Sequence, residues 1–144
     1  MSEFKKTIKY DEVSKEKIAL EVELQNVSYK YNFTPKIYNV KYNKNEAVIT
    51  MENLNEMCLA DKYGDEPFDI PNQYWKQIRT ILETLLYEEG IEYIDITPYN
   101  FIEKDEKIYI IDFGHAYYTD KNKKINWFLQ ELLDGSNSWN PDFK

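Results

Sequence analysis

Apolar and polar positions along the chain predict mixed helix and strand. Residues 4–10, FKKTIKY, alternate weakly and predict a short strand. Ser14 stands where it can cap a helix running to about Tyr31, with Ile18 and Val22 on the buried side. TPKIYNVKYNKNEAVITMENL predicts a hairpin: KIYNVKY goes out, Asn43 to Asn45 turn, and AVITME returns. Residues 53–71 read as irregular, because Gly64, Pro67 and Pro71 break any long helix. From about Asn72 to Glu89, Trp75, Ile78, Ile81, Leu82, Leu85 and Leu86 recur at helical spacing, and Gly90 stands where a C-terminal cap belongs. Two short strands follow around NFIEKDEKIYIID, turning at Lys104 to Glu106, and a last helix is predicted over about 124–134. The order β-α-β-β-linker-α-loop-β-β-α describes an α+β fold with an antiparallel hairpin in each half.

Composition narrows this picture. At 144 residues the chain fits one domain, or two small lobes sharing a core. With 42% hydrophobic and 16% aromatic residues it is too apolar for a disordered chain. A net charge of −8 argues against nucleic acid as a partner and against docking on an anionic membrane. The single cysteine, Cys58, allows no internal disulfide and fits a reducing, cytoplasmic compartment. The opening MSEFKKTIKYDE lacks the apolar core of a signal peptide, and no apolar run reaches membrane-spanning length. Abundant Asn, Lys, Ile and Tyr point to an AT-rich genome such as that of a large DNA virus, which would place the chain inside a host cell. His115 is the only histidine and reads as a structural or surface residue, and Cys58 reads as a small buried hydrophobe, so no zinc site is expected. Trp75, Trp127 and Phe128 sit at helical spacing and read as core packing.

Candidate chemistry gathers in YIDITPYNFIEKDEKIYIIDFGHA, residues 93–116. Asp95 and Asn100 lie five positions apart on one loop stiffened by Pro98, and the predicted hairpin returns Asp112 beside Asn100. Gly114 then permits a sharp turn. Singly, these residues read as ordinary turn formers. Together they suit a metal-bound phosphate, because phosphoryl transfer is mostly positioning and charge neutralisation. Magnesium takes a few oxygen ligands from the protein and completes its shell with waters and phosphate oxygens.

D95-ITPY-N100 followed by D112-F113-G114 resembles the catalytic loop and metal-binding motif of protein-kinase-like phosphotransferases. AVITMENL resembles the strand entering the hinge that holds adenine, with Thr50 as gatekeeper and Glu52 to Leu54 as hinge backbone. The predicted helices at 15–31 and 72–89 sit where the regulatory helix and the helix before the catalytic loop belong. The resemblance covers roughly residues 5–118 and implies a truncated protein-kinase-like fold. Its parts would be a small antiparallel-sheet N-lobe over 1–52, a hinge at 53–55 and a reduced helical C-lobe over 56–144.

The resemblance further implies ATP and Mg2+ as cofactors, Asp95 as catalytic base or hydroxyl-orienting residue, Asn100 and Asp112 as metal ligands, and Phe113 and Gly114 beside the cofactor. It calls for a lysine paired with a helix glutamate. T7-I8-K9 nominates Lys9, with Lys5 and Lys6 open, and Glu21 comes ahead of Glu23.

The chain also departs from that family's pattern. All four glycines lie at 64 or beyond, so there is no glycine-rich loop, and there is no room before Lys9 for the strands that carry it. Tyr93-Ile94 replaces the usual His-Arg, and no Ala-Pro-Glu motif follows Gly114. Thr97, where many Ser/Thr kinases have lysine, is similar to the small atypical kinases of the tRNA-threonylcarbamoyl machinery. Two readings stay open. The favoured one is a minimal ATP- and magnesium-dependent kinase acting on a hydroxyl of a protein substrate. The other is a pseudokinase, a nucleotide-binding regulator or interaction module that docks a protein partner. A homodimer is expected to suit a lobe lacking two strands, which would leave apolar sheet surface and an open edge.

Overall fold

Strand parity builds the small lobe. In the computed structural model, which describes residues 2–143, β1 (Glu3–Lys9), β2 (Ile37–Tyr42) and β3 (Glu46–Glu52) form an antiparallel sheet in the order β1-β3-β2. Side chains alternate across a sheet. On β3, Ala47, Ile49 and Met51 are buried while Glu46, Val48, Thr50 and Glu52 are partly exposed. Lys6 lies opposite Ile49 and Ile8 opposite Ala47, so Phe4, Lys6 and Ile8 share the inner face. Lys5 and Lys9 lie opposite Thr50 and Glu46 on the outer face. Among the described residues that outer face is mostly polar, carrying Lys5, Thr7 and Lys9 beside Val48 and Thr50, rather than the apolar surface expected. β1 and β2 are the edge strands of the sheet.

Helix α1 (Lys15–Tyr29) covers the inner face, where Ile18 joins Ile8, Ala47, Ile49 and Met51 in a small core. The Ser14 hydroxyl accepts the Lys17 N–H at 3.2 Å, as its position predicts. The helix closes before Tyr31 because Asn32 takes a left-handed φ of 62°, which ends the helical run.

The larger lobe forms around α3 (Asn72–Glu89), whose buried face is Tyr74, Trp75, Ile78, Ile81, Leu82, Leu85 and Leu86. Gly90 caps it at φ 66°, a conformation that costs a residue without Cβ little. The 53–71 stretch is less irregular than predicted, holding a four-residue helix α2 (Leu59–Lys62) and a 3-10 turn (Pro67–Asp69). Downstream come β4 (Ile91–Glu92), β5 (Phe101–Lys104), β6 (Lys107–Ile110) and β7 (Tyr117–Tyr118). β5 and β6 form the predicted hairpin, and β4 pairs with β7. At two residues each, β4 and β7 are too short to show a strand period.

Helix α4 (Trp127–Leu133) starts later than predicted because Asn126 caps it, its Oδ1 accepting the N–H groups of Phe128 and Leu129 at 2.9 and 3.1 Å. Trp127 is 51% exposed and so is not core, its ring lying edge-on to Phe128. Leu24 of α1 belongs to the large core, which ties the two lobes together. Among the described residues no helix is long and apolar enough to cross a membrane.

Candidate functional site

The loop between β4 and β5 is shaped by its own backbone and by a buried tyrosine. The Ile96 N–H donates to the Ile94 carbonyl at 2.8 Å, folding the chain tightly around Asp95. The Asn100 N–H returns to the Thr97 carbonyl at 3.2 Å, closing the Thr97–Asn100 turn. Asn100 is buried, and its Nδ2 donates to the Asp95 carbonyl at 2.9 Å. The Ile111 N–H reaches the Asn100 carbonyl at 3.0 Å, which sets Asp112 beside the loop.

Tyr93 locks this arrangement. Its hydroxyl donates to the Ile111 carbonyl at 2.6 Å, and its ring meets Phe113 edge-on with centroids 5.4 Å apart. Burial, then the charges of Asp95, Asp112 and Glu21, push the Tyr93 phenol well above its usual range, so it stays a donor. Where the family resemblance has histidine, this chain uses a phenol as a strut.

Asp112 holds a left-handed φ of 60°, which costs a residue with Cβ about 1 kcal/mol. Its Oδ1 accepts the Gly114 N–H at 3.1 Å and faces Lys6 Nζ at 3.4 Å. Lys6 Nζ also donates to Glu21 Oε2 at 2.5 Å. A Cβ on Gly114 would stand 3.1 Å from Asp112 Oδ1 and 3.2 Å from Glu21 Oε1, so little beyond hydrogen fits between the two carboxylates. Burial works to lower the Lys6 pKa. The charges of Glu21 and then Asp112 outweigh it, and the ammonium sits above its ordinary value.

Lys6, not Lys9, is therefore the lysine at the site. Lys9 and Lys5 have odd positions and point to the outer face, whereas Lys6 shares parity with the apolar Phe4 and Ile8. That signal was present in the sequence. Glu21, 6% exposed, is the helix carboxylate that meets the lysine, while Glu23 accepts the Tyr118 hydroxyl at 2.5 Å.

A cavity of about 370 Å³ opens beside this pair. Phe4, Met51, Leu54, Ile102 and Ile111 make its apolar walls, and Lys6 and Asp112 mark its charged end. Glu52 and Leu54 line it, as the hinge reading expects. Thr50 does not line it: the pleat turns Thr50 outward, and Met51 takes the inward place. Phe113 is not at the cavity either, being 1% exposed and packed against Tyr93 in the large core.

The His115 side chain is 55% exposed, at the surface, and its Nδ1 lies 3.0 Å from Asp95 Oδ2. The turn closed by the Ala116 N–H on the Phe113 carbonyl, at 3.1 Å, presents it there. Nothing in the local pattern around residue 115 signals this contact. Cys58 is partly exposed, and burial as the main cause raises its thiol pKa, which leaves it a poor nucleophile.

The donors present fit magnesium. Among the described residues no group of three or more His, Cys, Asp or Glu forms a metal cage. Magnesium does not need one, since one or two protein oxygens with phosphate and water suffice. Asp112 supplies a half-exposed carboxylate, with 43% of its side chain accessible. Asn100 has Nδ2 engaged on the Asp95 carbonyl, so its Oδ1 is the atom for a cation.

Compared with known proteins, residues 2–133 match the family model described as the RIO domain. No curated protein matches the chain. A match over nearly the whole chain, on a small-sheet and helical-lobe architecture, assigns the fold. The chain belongs to the RIO domain family of atypical protein kinases, which bind ATP and transfer phosphate to serine or threonine.

Proposed function

We propose that this chain transfers the γ-phosphoryl group of ATP, with magnesium, to the hydroxyl of a protein serine or threonine. The observation that carries the reading is Lys6 held between Glu21 and Asp112 at the charged end of an apolar cavity. The apolar walls suit a planar base, and the backbone of Glu52 to Leu54 borders it. Lys6 would draw the phosphates to its end, with Glu21 keeping its ammonium in place. Asp112 and Asn100 would hold magnesium, which when bound neutralises charge on the phosphates. Asp95 would orient the acceptor hydroxyl and take its proton at a carboxylate oxygen.

Magnesium-dependent phosphate transfer or ATP hydrolysis, compared between the native chain, Asp112→Ala and Asp95→Asn, tests this. Asp112→Ala should lower the rate by about a thousandfold or more. Equal rates in all three would sink the catalytic assignment.

A second reading has one observation in its favour. Among the described residues the small-lobe sheet has three strands, and none of its connections carries a glycine. A pseudokinase that binds nucleotide and docks a protein partner would accommodate this. A thermal shift with ATP and magnesium, without turnover in any chain, would favour that reading. A homodimer through this lobe would use a β1 or β2 edge more readily than the mostly polar outer face.

A further inference from the structure

Asn140 and Phe143 lie beyond the residues matched to the RIO domain, yet they brace the loop that carries Asp95. Asn140 is 1% exposed. Its Nδ2 donates to the Ile94 carbonyl at 2.8 Å, and its N–H donates to the Ile96 carbonyl at 2.9 Å. One side chain and its own backbone thus hold the residues on both sides of Asp95. The Asn140 Oδ1 accepts the Asp142 N–H at 3.0 Å, which turns the chain toward Phe143. Trp139 anchors the segment, its ring 4.5 Å from that of Trp75 on α3. The Phe143 ring then lies 5.1 Å from the His115 imidazole, whose Nδ1 is 3.0 Å from Asp95 Oδ2.

We propose that residues 139–143 are a positioning device for Asp95, in which Asn140 fixes the loop backbone and Phe143 holds His115 in its hydrogen bond to the Asp95 carboxylate. The proposal rests on the reading of Asp95 as the group that meets the acceptor hydroxyl. A carboxylate only accepts, so His115 donates from Nδ1 in this contact. With Oδ2 tied to His115, Oδ1 is the oxygen left for the acceptor. His115 and Asn140 are positioning residues, acting on the reaction through Asp95.

Because the chain has one histidine, the 15N signals of a labelled sample report this imidazole alone. At a pH where the ring is neutral, the native chain should show the Nδ1–H tautomer. Asp95→Ala should lose it, and Asn140→Ala and Phe143→Ala should move toward the Asp95→Ala spectrum. An Nε2–H imidazole in the native chain would overturn the device whether or not the protein turns over.

Kinetics give the second readout. His115→Ala and Asn140→Ala should lower kcat about tenfold to a hundredfold, the scale of a slightly misplaced group, while KM for ATP changes by no more than about twofold. His115→Asn, whose Nδ2 can reach the same carboxylate oxygen, should recover most of the loss. An unchanged kcat in His115→Ala, or no recovery in His115→Asn, overturns the proposal. Asn140→Asp keeps the volume and the acceptor but removes the donor, and serves where Asn140→Ala fails to fold. An Nδ1–H imidazole that is lost in Asn140→Asp supports the device even without turnover, and the absent turnover then counts against the phosphotransferase reading alone.

Discussion

Helices α1 and α3 are similar in length, fifteen and eighteen residues, and use their buried faces in opposite ways. α3 buries only apolar and aromatic side chains, at a spacing that wraps one face. α1 buries Glu21, Gln25 and Ser28 alongside Ile18 and Leu24. A buried polar group costs stability unless it is paired, and each of the three is. Glu21 meets Lys6, Gln25 Nε2 donates to the Pro35 carbonyl at 2.9 Å, and the Ser28 hydroxyl donates to the Leu24 carbonyl at 2.8 Å. α3 is built to hold the fold, whereas α1 places a carboxylate against Lys6. The difference teaches that a weakly amphipathic helix in a small domain can be a carrier of chemistry.

The largest expected break in this comparison is on the α3 side. Leu85→Ala, at a position fully out of solvent, should cost about 3 kcal/mol through lost burial and the cavity left behind. Denaturant unfolding should show it, while the folded fraction keeps its specific activity. On the α1 side, Glu21→Gln should weigh more on activity: transfer falls about tenfold, equivalent to about 1.4 kcal/mol in the barrier. The unfolding midpoint should move less than in Leu85→Ala, because the amide keeps the volume and Lys6 still faces Asp112. If instead Glu21→Gln unfolds the protein as readily as Leu85→Ala and spares activity, α1 is a packing helix and the contrast fails.

The smallest effect concerns where the two helices are tied together. The Tyr31 hydroxyl, just past α1, donates to Glu89 Oε2 at 2.5 Å near the end of α3, and Lys30 stands 3.5 Å from Oε1. The Tyr31 hydrogen bond first, and the Lys30 charge with it, hold the Glu89 carboxyl below its ordinary value of 4.5. A carboxyl depressed on folding stabilises the fold above its ordinary value, and that stability is lost as pH falls through the folded value. The native chain should thus lose stability on acidification below about pH 4.5 more steeply than Tyr31→Phe. Parallel melting-temperature curves for the two would show that the tie carries no weight.

How much was legible follows from where each signal resides. α3 was readable residue by residue because its periodicity is long and nothing polar interrupts it. The nearness of Asp95, Asn100 and Asp112 is legible because one loop and one short hairpin bring the three together within a continuous stretch. Lys6 and Met51 were also readable in principle. Phe4 and Ile8 fix the parity of β1, and Ala47, Ile49 and Met51 that of β3, but the motif TIK and the gatekeeper analogy drew attention to Lys9 and Thr50, one pleat away. Where a local motif and strand parity disagree, parity decides which side of a sheet a side chain reaches.

Other features had no local trace. His115 meets Asp95 across 20 residues and Asn140 reaches Ile94 across 46, and each contact exists only once separate elements have packed. The order of residues in this chain is sufficient for α1, α3, its two hairpins and the spacing of its three candidate site residues, because those depend on periods of two and 3.6 and on turn chemistry. Which glutamate the inward lysine meets and what steadies the Asp95 loop were settled by tertiary packing. A hydrogen bond acts only within about 3 Å, and a linear pattern carries no such distance between elements remote along the chain.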